Sequence, residues 1–229
     1  MIVVYTTIFG ESDSLKQAPS GASRAVCFVD NVNRYAYQER GWELIQHKAP
    51  NPRREAWKLR CEAHRLFPDA RKTVWIDASF TLMDLSRLLL DASGHPVSGL
   101  KHHKRNTCYQ EGLEIIKVGQ ADSSDVAKQM NEYARQDFQP SALTISCILV
   151  RENSSVVNAF NECWEKEIYQ HPGDNTQISL DYAAWKAGLS IHHLTGVRHN
   201  NPYAVHDATD HKRRRQRYDT DTTLCRSSR

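Results

Sequence analysis

Thr73-Val74-Trp75-Ile76-Asp77-Ala78-Ser79 is the stretch that decides the fold. Its first four residues are β-branched or apolar and predict a strand at the centre of a sheet. Asp77 follows that strand directly, and ligands of α/β proteins bind at the carboxyl ends of the strands. A carboxylate at this edge suits Mg²⁺, which takes one or two carboxylates together with phosphate oxygens of a substrate. The alternative is a structural role, in which Asp77 caps the next turn.

Strands and helices alternate on both sides of this stretch. Further strands are predicted at 2–8, 25–29, 42–47, 97–100, 143–150 and 189–193, and helices at 52–66, 85–90, 108–118, 124–136, 153–169 and 177–187. The first helix has Asn51 as its cap and Pro52 in its first turn. This alternation predicts an α/β fold, with a mainly parallel central sheet flanked by helices and a Rossmann-like nucleotide-binding layer.

Length and composition indicate a single domain. The chain has 229 residues, of which 40% are hydrophobic and 25% charged. No apolar run approaches the roughly 20 residues that span a bilayer, so membrane insertion is not expected. The start, Met1-Ile2-Val3-Val4-Tyr5, has no features of a secretory signal, which predicts a cytoplasmic protein. The six cysteines lie mostly in apolar stretches without C-x-x-C spacing, which predicts reduced, buried thiols.

The basic charge is concentrated at the C-terminus. The whole chain carries +3, whereas residues 212–229 alone carry seven basic and two acidic side chains. We therefore divide the chain into a domain at 1–211 and a basic tail at 212–229. Such a tail could bind phosphates of a nucleic acid or a sugar nucleotide, although a solvated terminus is the commoner outcome.

Several enzyme classes are disfavoured by the motifs that the sequence lacks. It contains no G-x-x-x-x-G-K-[ST] and no G-x-G-x-x-G, so phosphate loops of kinases and dinucleotide folds have no support. It also contains no G-x-S-x-G and no H-E-x-x-H, which disfavours α/β-hydrolases and zinc proteases.

Two further segments carry candidate chemistry. The run 101–105 contains His102, His103 and Arg105 after a predicted strand, where cations could neutralise a diphosphate or an acidic acceptor. Glu111 follows in the first turn of the next helix, a position that is usually exposed. The stretch 206–211 offers His and Asp side chains, and one late histidine could complete an Mn²⁺ site begun by Asp77.

The order of these motifs resembles a family of GT-A-like glycosyltransferases whose plant members are associated with pectic and mucilage polysaccharides. The matching positions are 4–10 with Asp13, 27–30, 41–43, 52–54 with Lys58, 64–68, 75–77, His102 or His103 with Arg105, 108–111, 129–130, Tyr133, 148–151, Trp164 with Glu167, 177–179 and 211–212. The resemblance implies a GT-A fold and a metal-assisted transferase that uses a nucleotide-diphosphate sugar and an acceptor hydroxyl.

The resemblance also implies roles for individual residues. Asp77 stands where related enzymes have an Asp-X-Asp metal motif, with Ser79 at its second position and His211 as the late partner, so these three residues would hold Mn²⁺ or Mg²⁺. The implied substrate-binding residues are Thr6, Asp13, Asp30, Arg54, Lys58, His103 and Arg151. The implied catalytic residues are Asp77, His102, Arg105, Glu111, Asp174 and Gln177, and Asp181 is a further candidate base. Gln177 matches an Asp-Gln pair of the family, whose acidic position is Thr176 here.

Three functions stay open at this stage. The first is transfer of a sugar to a saccharide or lipid-linked glycan. The second is modification of hydroxymethylated pyrimidines in phage DNA, which the basic tail and the run 101–105 would suit. The third is a non-catalytic module that binds nucleotide or nucleic acid on a degenerate transferase fold, for which Ser79 and Thr176 are the supporting features. The predicted partners are thus a nucleotide-sugar donor and a saccharide or nucleic-acid acceptor, and no protein partner is inferred.

Overall fold

A central β-sheet organises the computed structural model, which describes residues 1–10, 12–38, 40–173 and 175–207. The strands are β1 (Ile2–Ile8), β2 (Arg24–Val29), β3 (Glu43–Gln46), β4 (Lys72–Ile76), β5 (Phe80–Leu82), β6 (Val97–Lys101), β7 (Thr144–Glu152), β8 (His192–Val197) and β9 (Ala204–His206). Seven of them form the central sheet in the order β3-β2-β1-β4-β7-β6-β8. Only β7 runs antiparallel to its neighbours, which confirms the mainly parallel sheet.

Helices cover this sheet on both faces. They are α1 (Pro52–Cys61), α2 (Ala63–Leu66), α3 (Leu85–Asp91), α4 (Cys108–Lys117), α5 (Ser123–Arg135), α6 (Ser155–Gln170) and α7 (Gln177–Lys186). The predicted cap of the first helix is confirmed, because the Asn51 side chain accepts a hydrogen bond from the backbone N–H of Arg54 at 3.1 Å. The helix predicted at 52–66 is two helices, since Glu62 leaves helical geometry with ψ at 15°.

Successive residues of each strand face opposite layers of the fold. Tyr5 of β1 and Trp75 of β4 belong to the core that contains buried side chains of α1, α6 and α7. Val4 and Val74, one residue away, belong to the core under α3 and the β5–β9 pair. All five residues of β4 are buried, as expected of the central strand.

A small two-stranded sheet was absent from the sequence prediction. In it β5 pairs antiparallel with β9, which places Phe80 opposite His206. The backbone N–H of Asp207 also donates to the carbonyl of Ser79 at 2.8 Å, so the described chain ends beside the carboxyl edge of β4. The strand predicted at 189–193 begins only at His192, because Leu189 closes the preceding helix through a hydrogen bond to the carbonyl of Ala184.

Cysteines within the described residues are free thiols, as predicted. Cys27, Cys61, Cys108 and Cys147 are buried and Cys163 is half-buried. Among the described residues no helix has both the length and the hydropathy needed to cross a membrane. The division at residue 211 lies beyond the described part of the chain and stays a prediction.

Candidate active site

Asp77 lies at the carboxyl edge of the sheet, directly after β4. Its backbone N–H donates to the carbonyl of Cys147 in β7 at 2.9 Å. Its Oδ1 accepts hydrogen bonds from Arg60 Nη2 at 2.7 Å and from Trp75 Nε1 at 2.9 Å. The side chain is 28% exposed, so the carboxylate reaches the surface of a cleft while one of its oxygens is already engaged. Among the described residues the side chain of Asp77 thus bonds to Arg60 and Trp75, and the alternative of a capped turn is not observed.

Arg60 connects Asp77 to two other elements. Its Nη1 donates to Ser146 Oγ in β7 at 2.6 Å and to Thr176 Oγ1 at 3.1 Å. Its guanidinium also lies 4.7 Å from the centre of the Trp75 ring. The residue is only 8% exposed, so this positive charge is held in one place at the edge of the sheet.

Thr176 adopts a backbone conformation that is rare for a β-branched residue. Its φ is 72°, in the left-handed region, and its side chain is 1% exposed. Its carbonyl accepts a hydrogen bond from Trp164 Nε1 at 3.1 Å, while its hydroxyl accepts from Arg60. Such strain persists only where the surroundings impose it, and it is often found at functional sites. Thr176, which stands at the acidic position of the Asp-Gln pair, therefore helps to hold the Arg60 side chain in place.

Two clefts meet at Asp77. The smaller cleft, of about 410 Å³, opens between β1 and α1 and is lined by Thr7, Phe9, Asp13 and Ser79, among others. The larger cleft, of about 830 Å³, opens between α1, α4 and the N-terminus of α7. Arg53, Arg60 and Asp77 line both clefts. The arrangement suits two substrates that meet at a shared point.

Of the early residues predicted to bind a nucleoside, only Asp13 lines the smaller cleft. Thr6 does not, because the side chains of a strand alternate and Thr7 is the one that faces this cleft. Asp30 contributes indirectly, since its Oδ2 accepts a hydrogen bond from the backbone N–H of Gly10 at 2.8 Å and so holds the loop that borders the cleft.

A buried polar network forms one wall of the larger cleft. Glu111 is 3% exposed and forms an ion pair with Arg105. Its Oε1 accepts from Gln177 Nε2 at 2.8 Å and from Asn175 Nδ2 at 3.0 Å. The expectation of an exposed first-turn acid is wrong for Glu111. Because both of its oxygens are engaged, this carboxylate is poorly placed to accept a further proton as a base.

His102 belongs to the same wall and is neutral at pH 7. Burial and the neighbouring Arg105 lower the pKa of His102 to about 4. Its Nδ1 accepts hydrogen bonds from the backbone N–H groups of Lys104 at 3.1 Å and Arg105 at 2.9 Å. Burial and the charge of Lys104 also lower the pKa of His103, which lines the cleft. The predicted charge on His102 is therefore corrected, and Arg105 carries the positive charge at this point.

Four other predicted residues lie away from both clefts. Arg54 donates to the carbonyl of Ile168 in α6 at 3.4 Å, because one residue along a helix turns the side chain by about 100° and so away from the cleft face that Arg53 occupies. Lys58 lies on that same side: burial raises the pKa of the Glu62 carboxyl, and the nearby charge of Lys58 partly opposes that rise. Neither approaches a phosphate position at the cleft, in contrast to the prediction.

Arg151 and Asp181 are also corrected. Arg151 is 1% exposed and donates to Asn161 Oδ1 at 2.8 Å and to the hydroxyl of Tyr5, so it belongs to the core beneath the sheet and not to a substrate site. Asp181 faces a separate cavity and accepts hydrogen bonds from the backbone N–H and hydroxyl of Thr144. Asp174 and His211 lie outside the described residues.

The described residues do not provide a set of ligands that suits a divalent cation. They contain no group of three His, Cys, Asp or Glu side chains able to hold one. Asp77 is already neutralised by Arg60, and Ser79 is buried where a second acid would stand. Of the predicted metal ligands, His211 alone falls outside the described ranges, and Mn²⁺ or Mg²⁺ stays a prediction.

Sequence reasoning missed several residues that line the clefts. Arg53, Trp57 and Arg60 occur at i, i+4 and i+7 of α1, a spacing that places them on one face and could have been noticed. Arg198 and Glu114 also line the larger cleft. Neither of these belongs to a motif, so the folded chain was needed to find them.

Comparisons with known proteins agree with this architecture. A family model described as "TOD1/MUCI70, glycosyltransferase-like domain" matches residues 1–193. The chain is 24% identical over 200 residues to the Arabidopsis thaliana protein named "Probable hexosyltransferase MUCI70", in an alignment that covers 73% of this chain and 34% of that protein. The chain therefore spans about a third of the length of this curated relative.

A solved structure of the WbbM bifunctional glycosyltransferase in its apo form is also similar. Its TM-score is 0.50 at 14% sequence identity, over 84% of this chain and 38% of that chain. At this identity the likeness concerns the fold alone, and it confirms the predicted α/β architecture of a glycosyltransferase.

Proposed function

The chain belongs to the family of TOD1/MUCI70 glycosyltransferase-like domains, and from that premise we propose that it transfers a sugar from a nucleoside-diphosphate sugar to a hydroxyl of a saccharide. The observation that carries this proposal is the meeting of two clefts at Asp77 and Arg60. A transferase must bring two substrates together at one reacting bond, and proximity alone supplies a large part of the rate.

The smaller cleft suits the donor nucleoside. It lies at the carboxyl ends of parallel strands, which is the usual nucleotide position in α/β sheets. Its apolar side chains, such as Phe9 and Pro52, can contact a base, and the buried carboxylate of Asp13 can accept hydrogen bonds from hydroxyl or amine groups. The diphosphate then falls at the junction, beside Arg53 and Arg60.

The larger cleft suits the acceptor. Trp57 and Ile115 give it an apolar surface against which a sugar ring can pack, and Glu114 adds a carboxylate. Glu114 is half-buried, and its side-chain carboxylate makes no hydrogen bond or ion pair among the described residues, although its carbonyl accepts from the backbone N–H of Val118. It is therefore the cleft carboxylate best placed to take the proton of an acceptor hydroxyl, the role for which Glu111, Asp174 and Asp181 were predicted.

A saccharide acceptor is favoured over DNA. The name of the plant relative, a hexosyltransferase, supports a hexose as the transferred group. The DNA alternative depended on residues 212–229, which lie outside the described chain, and on the run 101–105. In that run Arg105 is paired with Glu111 and the pKa of His102 is about 4, so fewer charges remain for phosphate contacts.

Turnover of nucleotide sugars tests the proposal. Release of nucleoside diphosphate from UDP- and GDP-hexoses is measured with a panel of saccharide acceptors. We expect turnover with one donor class and at least a 100-fold loss in Asp77→Asn, whereas Asp69→Asn, an exposed site away from the clefts, keeps full activity. The melting temperatures of both variants are measured to show that they fold.

Two results would count against the proposal. Binding of a nucleoside diphosphate without turnover of any donor would favour the non-catalytic module. Turnover of hydroxymethylated DNA that falls steeply with salt would favour the nucleic-acid acceptor.

A further inference from the structure

Arg60 occupies the point in this site at which a donor diphosphate would leave. It lines both clefts, and its position is fixed from three elements: Asp77 after β4, Ser146 in β7 and Thr176 before α7. Both hydrogens of Nη1 are donated to hydroxyl groups. Nη2 donates one hydrogen to Asp77, and the described residues supply no acceptor for its other hydrogen. The side chain is 10% exposed, so this end of a preorganised guanidinium can reach a ligand in the cleft.

Asp77 is better explained as the partner of Arg60 than as a metal ligand. The two charged groups are 2.7 Å apart, and Trp75 Nε1 donates to the same carboxylate oxygen. A divalent ion on the remaining oxygen would put two cations on one carboxylate. A second acid would be needed to balance them, and Ser79 stands in that place.

Further positive charge surrounds Arg60. Arg53 lines both clefts, and Arg198 lines the larger one. In the described part of the chain neither guanidinium forms an ion pair with a carboxylate. The contact of Arg198 Nη2 is with a histidine ring, His206 Nε2, at 3.3 Å. Guanidinium groups bind phosphate oxygens in two-pronged geometry, which makes such a cluster a substitute for a metal ion.

We propose that Arg60, assisted by Arg53 and Arg198, neutralises the departing diphosphate, so that donor binding and transfer need no divalent cation. This inference rests on the proposed function. In the step, the bond between the anomeric carbon and the diphosphate oxygen breaks, and its electron pair stays on the diphosphate. The acceptor oxygen bonds to the anomeric carbon, and its proton passes to a cleft carboxylate. The guanidinium groups stay protonated throughout and act by charge alone.

Calorimetric titration of the full chain with UDP and GDP tests the inference. Each titration is done in EDTA and again in Mn²⁺ or Mg²⁺. We expect one nucleoside diphosphate to bind in EDTA with a Kd within about 3-fold of its value in Mn²⁺. A Kd at least 30-fold tighter in Mn²⁺, or binding that requires the metal, would overturn the inference and leave the proposed function standing. If neither nucleotide binds under any condition, the proposed function fails as well.

Substitution on α1 provides a second test. Arg60→Lys keeps the positive charge but loses the planar guanidinium that can donate two parallel hydrogen bonds to a phosphate. We expect it to weaken binding of the nucleoside diphosphate in EDTA at least 10-fold. Arg54→Lys is the matched control, because it makes the same change on the face of the helix that points toward α6. Equal affinity of both variants would refute the role of Arg60. If Arg60→Lys does not fold, the comparison of EDTA with Mn²⁺ in the parent protein decides the question.

Discussion

Removal of one hydroxyl beneath the active site should strongly destabilise the protein. Tyr5 is fully buried in β1, and its hydroxyl donates to the carbonyl of Arg60 at 2.9 Å while it accepts from the guanidinium of Arg151. Tyr5→Phe keeps the ring contacts with Phe67 and Trp75, whose centres lie 5.2 and 5.1 Å away. The variant therefore isolates the two hydrogen bonds.

The magnitude follows from the burial of Arg151. Its guanidinium is 1% exposed, and without the hydroxyl only Asn161 Oδ1 still accepts from it among the described residues. A hydrogen bond to a buried charged group contributes about 1.5–3 kcal/mol. The carbonyl of Arg60, which would lose the hydrogen bond from the Tyr5 hydroxyl, adds to the loss. We expect Tyr5→Phe to lower the free energy of unfolding by about 3 kcal/mol.

Urea unfolding measures this loss, with an unchanged m-value as evidence that the native state stays compact. Tyr109→Phe serves as the control, because its hydroxyl donates to a single neutral carbonyl, that of Phe138 at 3.0 Å. The control should lose about 1 kcal/mol. If Tyr5→Phe costs no more than Tyr109→Phe, the account of Arg151 as a charge held by Tyr5 is refuted.

Three other predictions concern the carboxylate Glu114, a glycine of β8 and the buried His102. Glu114→Gln should lower kcat about 100-fold or more while the melting temperature is kept, if Glu114 is the base; steady-state kinetics with unchanged kcat would exclude it. Gly196→Ala should lose at least about 2 kcal/mol, because φ is +92° and the new Cβ would lie 2.5 Å from the carbonyl oxygen of Asn200. Gly188→Ala, with φ at +70° and open space, should lose less in the same thermal unfolding assay. The free energy of unfolding should fall as the pH drops from 6.5 to 4, because the lowered pKa of His102 makes the native state bind fewer protons than the unfolded state there. His102→Gln should flatten this slope, and an identical slope in the variant would contradict the assignment.

The features that could be predicted from the sequence are those that depend on residues close together in the chain. The apolar run 73–76 followed by Asp77 placed the carboxylate at the edge of the sheet, and the Asn51 cap marked the start of α1. The partners of Asp77 could not be predicted in this way. Arg60, Ser146 and Thr176 meet only because α1, β7 and the turn before α7 converge, and no local pattern encodes that convergence.

Short strands were missed for the same physical reason. β5 and β9 have three residues each, which is too short for an alternation of apolar and polar residues to be recognised. They also pair across more than a hundred residues of chain, so no local pattern connects them. The positions of Arg54 and Lys58 were mistaken because a pair four residues apart shares one helix face, and the sequence does not say which face meets the cleft.

The order of the strands also has a consequence for biosynthesis. By the time residue 76 has been made, β1, β2, β3 and β4 can already pair in parallel, but one side of β4 stays unpaired until β7 is made, beginning at Thr144. During that interval the growing chain presents an apolar strand edge, the kind of surface that recruits other chains. A ribosome that stalls within this window, or a truncation before residue 144, would leave that edge open, so chaperone dependence should be greatest for such fragments.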